Sequence, residues 1–142
     1  MQPDRQLLGV RGAPGNTANN RTSYWVPRHS PRVFVEQVDV VSGVGPARAR
    51  DAGADRFHDI HRIVTDLGVL DVGGPDDTVR LRSVHPGVTV DEVSAATGFD
   101  LGAPDDVPTT REPRPDEIVL IREVLDPRNL RDREVPPTKD KA

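Results

Sequence analysis

The 14 prolines and 12 glycines spread along this chain of 142 residues are the feature that most restricts its fold. Both residue types interrupt periodic structure and favour turns, so we expect short helices and strands joined by turns and irregular connections. Aromatic residues make up only 4% of the sequence, which predicts an aliphatic core of Val, Leu and Ile. With 35% hydrophobic and 30% charged residues, the composition suits one soluble domain.

Charge and composition argue against several classes of function. The net charge is −4 and no basic block is present, so nucleic acid is not an expected partner. No apolar run approaches the roughly 18 residues of a membrane span, and the absence of cysteine excludes disulfide and thiolate chemistry. The first residues have neither the basic start nor the apolar stretch of a signal peptide, so we expect a cytoplasmic protein without a membrane partner.

Three segments have the composition of β-strands: residues 32–41, 61–72 and 78–84. The nearly continuous apolar character of 32–41 indicates a strand covered on both faces. Five turn-forming residues, 73–77, predict a hairpin between the other two. Residues 42–56 have no periodicity and are interpreted as a mobile surface loop.

Residues 85–98, HPGVTVDEVSAATG, carry a strong helix signal. Thr89 and Glu92 fit a capping box, and Gly98 is placed to end the helix in a left-handed cap. The predicted helix is short, about two turns. Its inner face is formed by Val90 and Val93 with Ala96 or Thr97.

A second helix is predicted over residues 116–126, DEIVLIREVLD, with Pro115 in its first turn and Pro127 ending it. Its apolar stripe includes residues 118, 121 and 125. The charged, proline-containing tail, residues 128–142, is expected to be disordered. Three or four strands and two helices would make a thin sheet with little to cover its second face, so the chain looks like part of a domain.

Several blocks of this sequence resemble a known family in the same order. SPRVFVEQVDVVSGVG, RIVTDLGVLDV and LRSVHPGVTVDEVSAATGFDL are similar to the C-terminal half of the β subunits of class I CoA transferases. RGAPGNTANNRTSYWVPRHS and RFHDIHRIVTDLGVLD resemble one branch, the CoA-transferase-like β subunit of the bacterial steroid ring-opening hydrolase. The resemblance covers nearly the whole chain.

The resemblance implies an α/β fold of the NagB/RpiA/CoA-transferase-like class, with a mixed sheet and flanking helices. Residues 1–127 would be the C-terminal part of the β-subunit domain, and the N-terminal half would be missing. That half holds the nucleophilic glutamate of true CoA transferases. No catalytic residue is therefore expected in this chain, and alone it should be inactive.

The implied function is that of a β subunit pairing with an α subunit in a heteromer. This enzyme opens a ring of a steroid-derived acyl-CoA thioester, and the α subunit supplies the catalytic carboxylate. Coenzyme A would enter only as part of the substrate, with no other cofactor. CoA transfer between acids, or a non-catalytic remnant that binds a partner, are the alternatives.

The candidate site is the glycine-rich stretch of residues 9–20. By resemblance it aligns with the family's thioester-binding loop, whose backbone N–H groups reach the thioester oxygen because glycine leaves the approach open. Arg11 departs from the family pattern and could instead meet a substrate carboxylate or carbonyl. An ordinary entry loop is the alternative. The proposed site residues are Gly9, Arg11, Gly12, Asn16, Asn19 and Asn20.

The spacing of the glycines, with no helix expected after them, excludes a dinucleotide-binding fingerprint. His58 and His61 are three apart but have no evident third ligand, so no metal site is predicted. His29, Ser30 and Asp39 have the residue types of a hydrolase triad without its sequence setting. Tyr24 and Trp25 are predicted to lie in the core or at a subunit contact, and residues 85–87, His-Pro-Gly, to form a structural turn.

Overall fold

A computed structural model describes residues 12–73 and 77–135. The helices and strands follow in this order: α1 (Ala13–Asn19), β1 (Arg21–Val26), α2 (Pro46–Asp51), β2 (Asp59–Thr65), β3 (Gly68–Val72), β4 (Val79–Val84), α3 (Val90–Ala95), α4 (Pro115–Val119), a π-helical segment (Leu120–Leu125) and α5 (Arg131–Glu134). The predicted short elements and mixed α/β class are confirmed.

The four strands form one mixed sheet in the order β1-β2-β3-β4. β1 and β2 are parallel, whereas β3 pairs antiparallel with both β2 and β4. The predicted hairpin across residues 73–77 is present as the β3–β4 connection, of which residues 74–76 lie outside the described residues. Gly73 N–H donates to the carbonyl of Thr78 across its base, at 3.3 Å.

The core lies on one face of the sheet and is aliphatic, as the composition predicts. Leu70 from β3, Leu81 from β4 and Val93 from α3 are fully buried together. Alternation along β4 explains the orientation: Leu81 points into the core, while Arg80 and Arg82 lie toward solvent. Burying these three side chains contributes roughly 1.5–3 kcal/mol each.

The capping box of α3 is confirmed. The N–H of Glu92 donates to Thr89 Oγ1 at 3.2 Å, and the N–H of Thr89 donates to Glu92 Oε2 at 2.7 Å. The positive-φ prediction for Gly98 is wrong, because among the described glycines only Gly53 and Gly87 have positive φ. Gly98 instead permits a close approach of two backbone segments, since its N–H donates to the carbonyl of Phe34 at 2.8 Å.

The strand predicted for residues 32–41 is not formed. Ser30 O accepts the N–H groups of Val33 and Phe34, which folds the start of this segment into a turn. A single bridge from Val35 to Gly98 is its extended pairing. β-branched composition favours a strand only where a sheet edge is available to pair with, and here the segment crosses outside the sheet.

Two further sequence interpretations are corrected. The loop predicted for 42–56 contains the helix Pro46–Asp51, which begins at a proline and buries Ala49. The strand predicted for 61–72 is two strands, Asp59–Thr65 and Gly68–Val72. The turn between them forms because the Thr65 hydroxyl oxygen accepts the N–H groups of residues 67 and 68, both at 3.1 Å.

The strand β1 was missed by sequence reasoning, which assigned no element to its residues. Its sequence, RTSYWV, shows no clear alternation of apolar and polar residues, and much of it is exposed. Its strand conformation depends on parallel pairing with β2. Such non-local pairing leaves no signal in a single sequence.

The second predicted helix begins at Pro115 and ends before Pro127, as expected. Its second half is π-helical, which widens the turn. The apolar stripe lies largely open to solvent, with Ile121 and Leu125 exposed. Within the expected disordered tail, Arg131–Glu134 form a short helix and residues 136–142 lie outside the described residues. No described helix is long and apolar enough to cross a membrane.

Candidate functional site

The glycine-rich candidate stretch is partly a helix. Gly9 and Arg11 lie outside the described residues, and Gly12 is the N-cap of α1, Ala13–Asn19. The expectation that no helix follows the glycines is therefore wrong. Pro14 explains the helix locally, because its fixed φ suits the first helical turn.

Gly12 is exposed and unstrained. Its φ is −84°, and a Cβ built there would meet only the Asn16 Nδ2 atom within 4 Å, at 3.8 Å. The packing of the described chain therefore does not require glycine at this position. A requirement for glycine would have to come from something that binds there.

Two of the three candidate asparagines bond to their own helix. Asn19 Nδ2 donates to the Gly15 carbonyl at 2.9 Å, and Asn20 Nδ2 donates to the Asn16 carbonyl at 3.3 Å. The exposed amide of Asn16 has no hydrogen-bond partner in the described part of the chain. Asn16, one turn after Gly12, is therefore the asparagine best placed to meet a ligand.

A cleft lies beside α1. Its volume is about 260 Å³, and it is lined by Tyr24, Ile60 and the segment 38–45. Thr17 connects it to α1, because a Cβ on Gly43 would lie 2.9 Å from Thr17 Oγ1. The lining is mostly apolar, with valines at positions 38, 40, 41 and 44, so this cleft suits an apolar group rather than an ion.

Sequence reasoning did not foresee the polar cluster around His29. This buried histidine follows β1, and its ring is hydrogen-bonded on both sides: Nδ1 to Thr65 Oγ1 at 3.2 Å and Nε2 to Thr97 Oγ1 at 3.0 Å. The ring also stacks on Phe34, with centroids 3.9 Å apart. The cluster joins residues far apart in the chain, so no local motif could have revealed it.

The proton positions in this cluster follow from its neighbours. Thr97 donates its hydroxyl hydrogen to the Val93 carbonyl at 2.8 Å, so its oxygen accepts from His29 Nε2–H. Nδ1 of the neutral ring then accepts from Thr65. Burial lowers the pKa of His29 and outweighs the attraction of Asp66, which raises it. His29 is thus a neutral structural link between β1, β2 and α3.

No hydrolase triad is assembled among the residues weighed for one. Both ring nitrogens of His29 are occupied by threonines. The carbonyl of Ser30 holds a turn, and Asp39 is exposed on the irregular segment after it. No hydrogen bond joins these three side chains in the described structure.

The remaining histidines have structural contacts. His58 Nε2 lies 2.8 Å from the carbonyl of Val44, and His61 Nδ1 lies 2.9 Å from Arg21 Nη2. Across residues 12–73 and 77–135, no group of three His, Cys, Asp or Glu residues is arranged to hold a metal ion.

The His-Pro-Gly tripeptide forms the predicted structural turn. Gly87 has a φ of +81°, and the N–H of Val88 donates to the His85 carbonyl at 3.0 Å. The ring of His85 contacts the carbonyl of Thr65 at 3.0 Å, which ties the turn to the end of β2. The turn therefore sets where α3 begins.

Tyr24 and Trp25 lie on β1, at the edge of the sheet. They are 41% and 59% exposed, so a place in the core of this chain is wrong for both. A subunit contact stays a prediction.

Comparison with known proteins identifies the family. No protein-family model matches the chain. The IpdB subunit of the cholesterol ring-cleaving hydrolase of Rhodococcus jostii (strain RHA1) is 58% identical over 136 residues, covering 95% of this chain and 54% of that protein. The crystal structure of Rhodococcus jostii RHA1 IpdAB matches with a TM-score of 0.84 and 57% identity, covering 96% of this chain and 55% of the matched chain.

A more distant solved structure has the same fold. Glutaconate coenzyme A-transferase from Acidaminococcus fermentans matches with a TM-score of 0.74 and 27% identity, over 86% of this chain and 48% of that one. By sequence and fold the chain belongs to the CoA-transferase family, among its β subunits. Within that family it is similar to the IpdB subunit. The chain spans about half the length of the curated relatives it matches.

Proposed function

We propose that this chain is the β-subunit part of a heteromeric, CoA-transferase-like hydrolase that opens a ring of a steroid-derived acyl-CoA thioester. The observation that carries the proposal is the 58% identity, over 95% of the chain, to the IpdB subunit of a cholesterol ring-cleaving hydrolase. The identity to the glutaconate CoA-transferase of Acidaminococcus fermentans is only 29%, which favours ring opening over CoA transfer.

The partner in this proposal is an α subunit that supplies the catalytic carboxylate as a base for carbon–carbon bond hydrolysis. The match to a structure described as IpdAB supports a two-subunit assembly. The exposed edge strand β1, with Trp25 on it, offers this chain an apolar contact surface. The work of the enzyme belongs in the cytosol, and coenzyme A enters only within the substrate.

The part played by this chain is to shape the substrate pocket. Gly12, exposed at the start of α1, leaves room for a thioester oxygen to approach the backbone. Asn16 presents an unengaged amide one turn later. The apolar cleft beside Tyr24 and the segment 38–45 would take part of the ring system.

A chimera tests the proposal directly. This chain replaces the matching half of the Rhodococcus jostii β subunit, and the chimera is purified with the partner subunit of that complex. A fused-ring acyl-CoA should gain the mass of one water as its ring opens, measured by mass spectrometry. The unmodified Rhodococcus jostii complex is the control.

Two outcomes would contradict the proposal. An assembled chimera that leaves the ring intact would exclude ring opening. Transfer of coenzyme A to an added carboxylic acid such as acetate would instead support the transferase alternative.

A further inference from the structure

Three arginines converge on one buried carboxylate on the sheet face opposite the core. The carboxylate is Asp71 of β3, whose side chain is 10% exposed. Arg80 of β4 donates to it through Nε at 3.0 Å and Nη2 at 3.3 Å. Arg62 of β2 and Arg82 of β4 approach its Oδ2 at 3.6 and 3.4 Å. We name these four residues the Asp71 arginine cluster.

The charges of the Asp71 arginine cluster do not balance. Three guanidinium groups face one carboxylate, which leaves an excess of two positive charges on this face. In the described chain, Arg62 and Arg82 form ion pairs only with Asp71. An excess of like charge held together by a buried group is unfavourable unless an anion completes it.

The two outer arginines also keep hydrogen-bond donors available. Only Arg80 engages Asp71 with two nitrogens, whereas Arg62 and Arg82 each approach it with one. Arg62 Nη1 also donates to the carbonyl of His61 at 2.6 Å. The side chains of Arg62 and Arg82 are 36% and 50% exposed. A guanidinium group carries five N–H donors in a planar fork that fits phosphate and carboxylate oxygens, so donors remain on both.

A cleft opens beside these arginines. Arg80 and Arg82 line it with Thr78 and the backbone of residues 102–104, which run along the outer edge of β4. Its volume is about 320 Å³, within the range of small-molecule sites. It lies on the opposite side of the sheet order from β1, so it is distinct from the cleft beside α1.

We propose that the Asp71 arginine cluster binds a phosphate monoester, with Arg62 and Arg82 donating to its oxygens. The two excess positive charges match a phosphate monoester dianion better than a single carboxylate. The phosphate could come from free phosphate or from a 3′-phosphorylated nucleotide such as that of coenzyme A. Only the second source rests on the proposed function.

The test measures binding rather than turnover, so it stands apart from ring opening. The full chain, purified with its co-expressed partner subunit, is titrated calorimetrically at low ionic strength with adenosine 3′,5′-bisphosphate and separately with inorganic phosphate. We expect saturable binding that weakens with added salt. Tighter binding of the bisphosphate identifies a nucleotide as the source, and equal binding identifies free phosphate.

Two variants and a matched control assign the binding to these residues. Arg82→Gln and Arg62→Gln should each weaken it about tenfold, because each removes a charged hydrogen-bond donor. Arg21→Gln is the control, since Arg21 pairs with Asp59 at the other side of the sheet and is 65% exposed. Absence of binding to either probe, or the same affinity in all three variants as in the unmodified chain, would overturn the proposal.

Discussion

The N–H of Gly98 donates to the carbonyl of Phe34 at 2.8 Å, and a Cβ added to Gly98 would lie 2.6 Å from that same oxygen. This contact joins the end of α3 to the irregular segment after β1, and it brings Phe34 beneath the ring of His29. The glycine is required by the approach of two backbones, not by its own φ.

Gly98→Ala should therefore destabilise the protein by about 1–3 kcal/mol, because the added methyl group forces the two segments apart. The melting temperature, recorded by circular dichroism, measures the effect. Gly15→Ala is the matched control: it lies in α1 with nothing within 4 Å of an added Cβ, and should be neutral or slightly stabilising. Equal melting temperatures for both variants would contradict this account.

Thr89→Ala should cost about 1 kcal/mol through loss of the N-cap of α3. The hydroxyl oxygen of Thr89 accepts the N–H of Glu92, and alanine leaves that donor unpaired within the protein. Chemical denaturation measures the change. Ser94→Ala, at an exposed position in the middle of the same helix, is the control and should not destabilise. A larger loss for Ser94→Ala than for Thr89→Ala would refute the capping argument.

Acidification should weaken the fold through His29. Burial lowers its folded pKa below the usual value of 6.5, so the unfolded chain takes up the proton first as the pH falls. Stability from this group is complete above about pH 6.5 and is lost as the pH falls below that value toward the folded pKa. The His29→Gln variant should be less stable at neutral pH, with a flatter change of melting temperature between about pH 7 and 5. An unchanged pH dependence in that variant would assign the effect to other groups.

Gly12→Val tests the candidate site in an assembled, active enzyme. If the thioester oxygen approaches the backbone here, turnover should fall about a hundredfold, the scale of losing one oxyanion donor. The melting temperature should hardly change, because Gly12 is exposed and has negative φ. Full activity in Gly12→Val would mean that the start of α1 is an ordinary entry to β1. Arg11→Ala should act mainly on substrate affinity.

Expressed without a partner, this chain should aggregate or fold only in part. Its edge strand β1 presents unpaired backbone groups, and Trp25, Val40 and Leu125 are all more than half exposed. The fluorescence of Trp25, the only tryptophan, should shift to shorter wavelength when a partner covers the edge. Size-exclusion chromatography showing a monodisperse monomer with a cooperative melt would contradict the prediction.

Where a signal is local, the sequence determined the structure. The capping box at Thr89 and Glu92, the turn at residues 85–87 and the helix start at Pro115 depend on neighbours within four residues, so their residue types suffice to predict them. The alternation along β4 likewise fixed which side chains enter the core.

The candidate site was only partly predictable. Glycine at position 12 was singled out correctly as a place without a side chain, but the helix after it and the inward bonds of Asn19 and Asn20 were not foreseen. The neutral His29 cluster and the Asp71 arginine cluster join residues from different strands, and no spacing in the sequence marks them.

The tertiary structure alone decided which β-branched segment became a strand. Residues 32–41 have the stronger strand composition, yet β1 occupies the place beside β2 while 32–41 turns away and contacts α3 through Gly98. Sequence specifies the local preference of a segment, whereas a strand also needs a partner edge in register. That partner comes from residues far along the chain, so only the folded arrangement settles the choice.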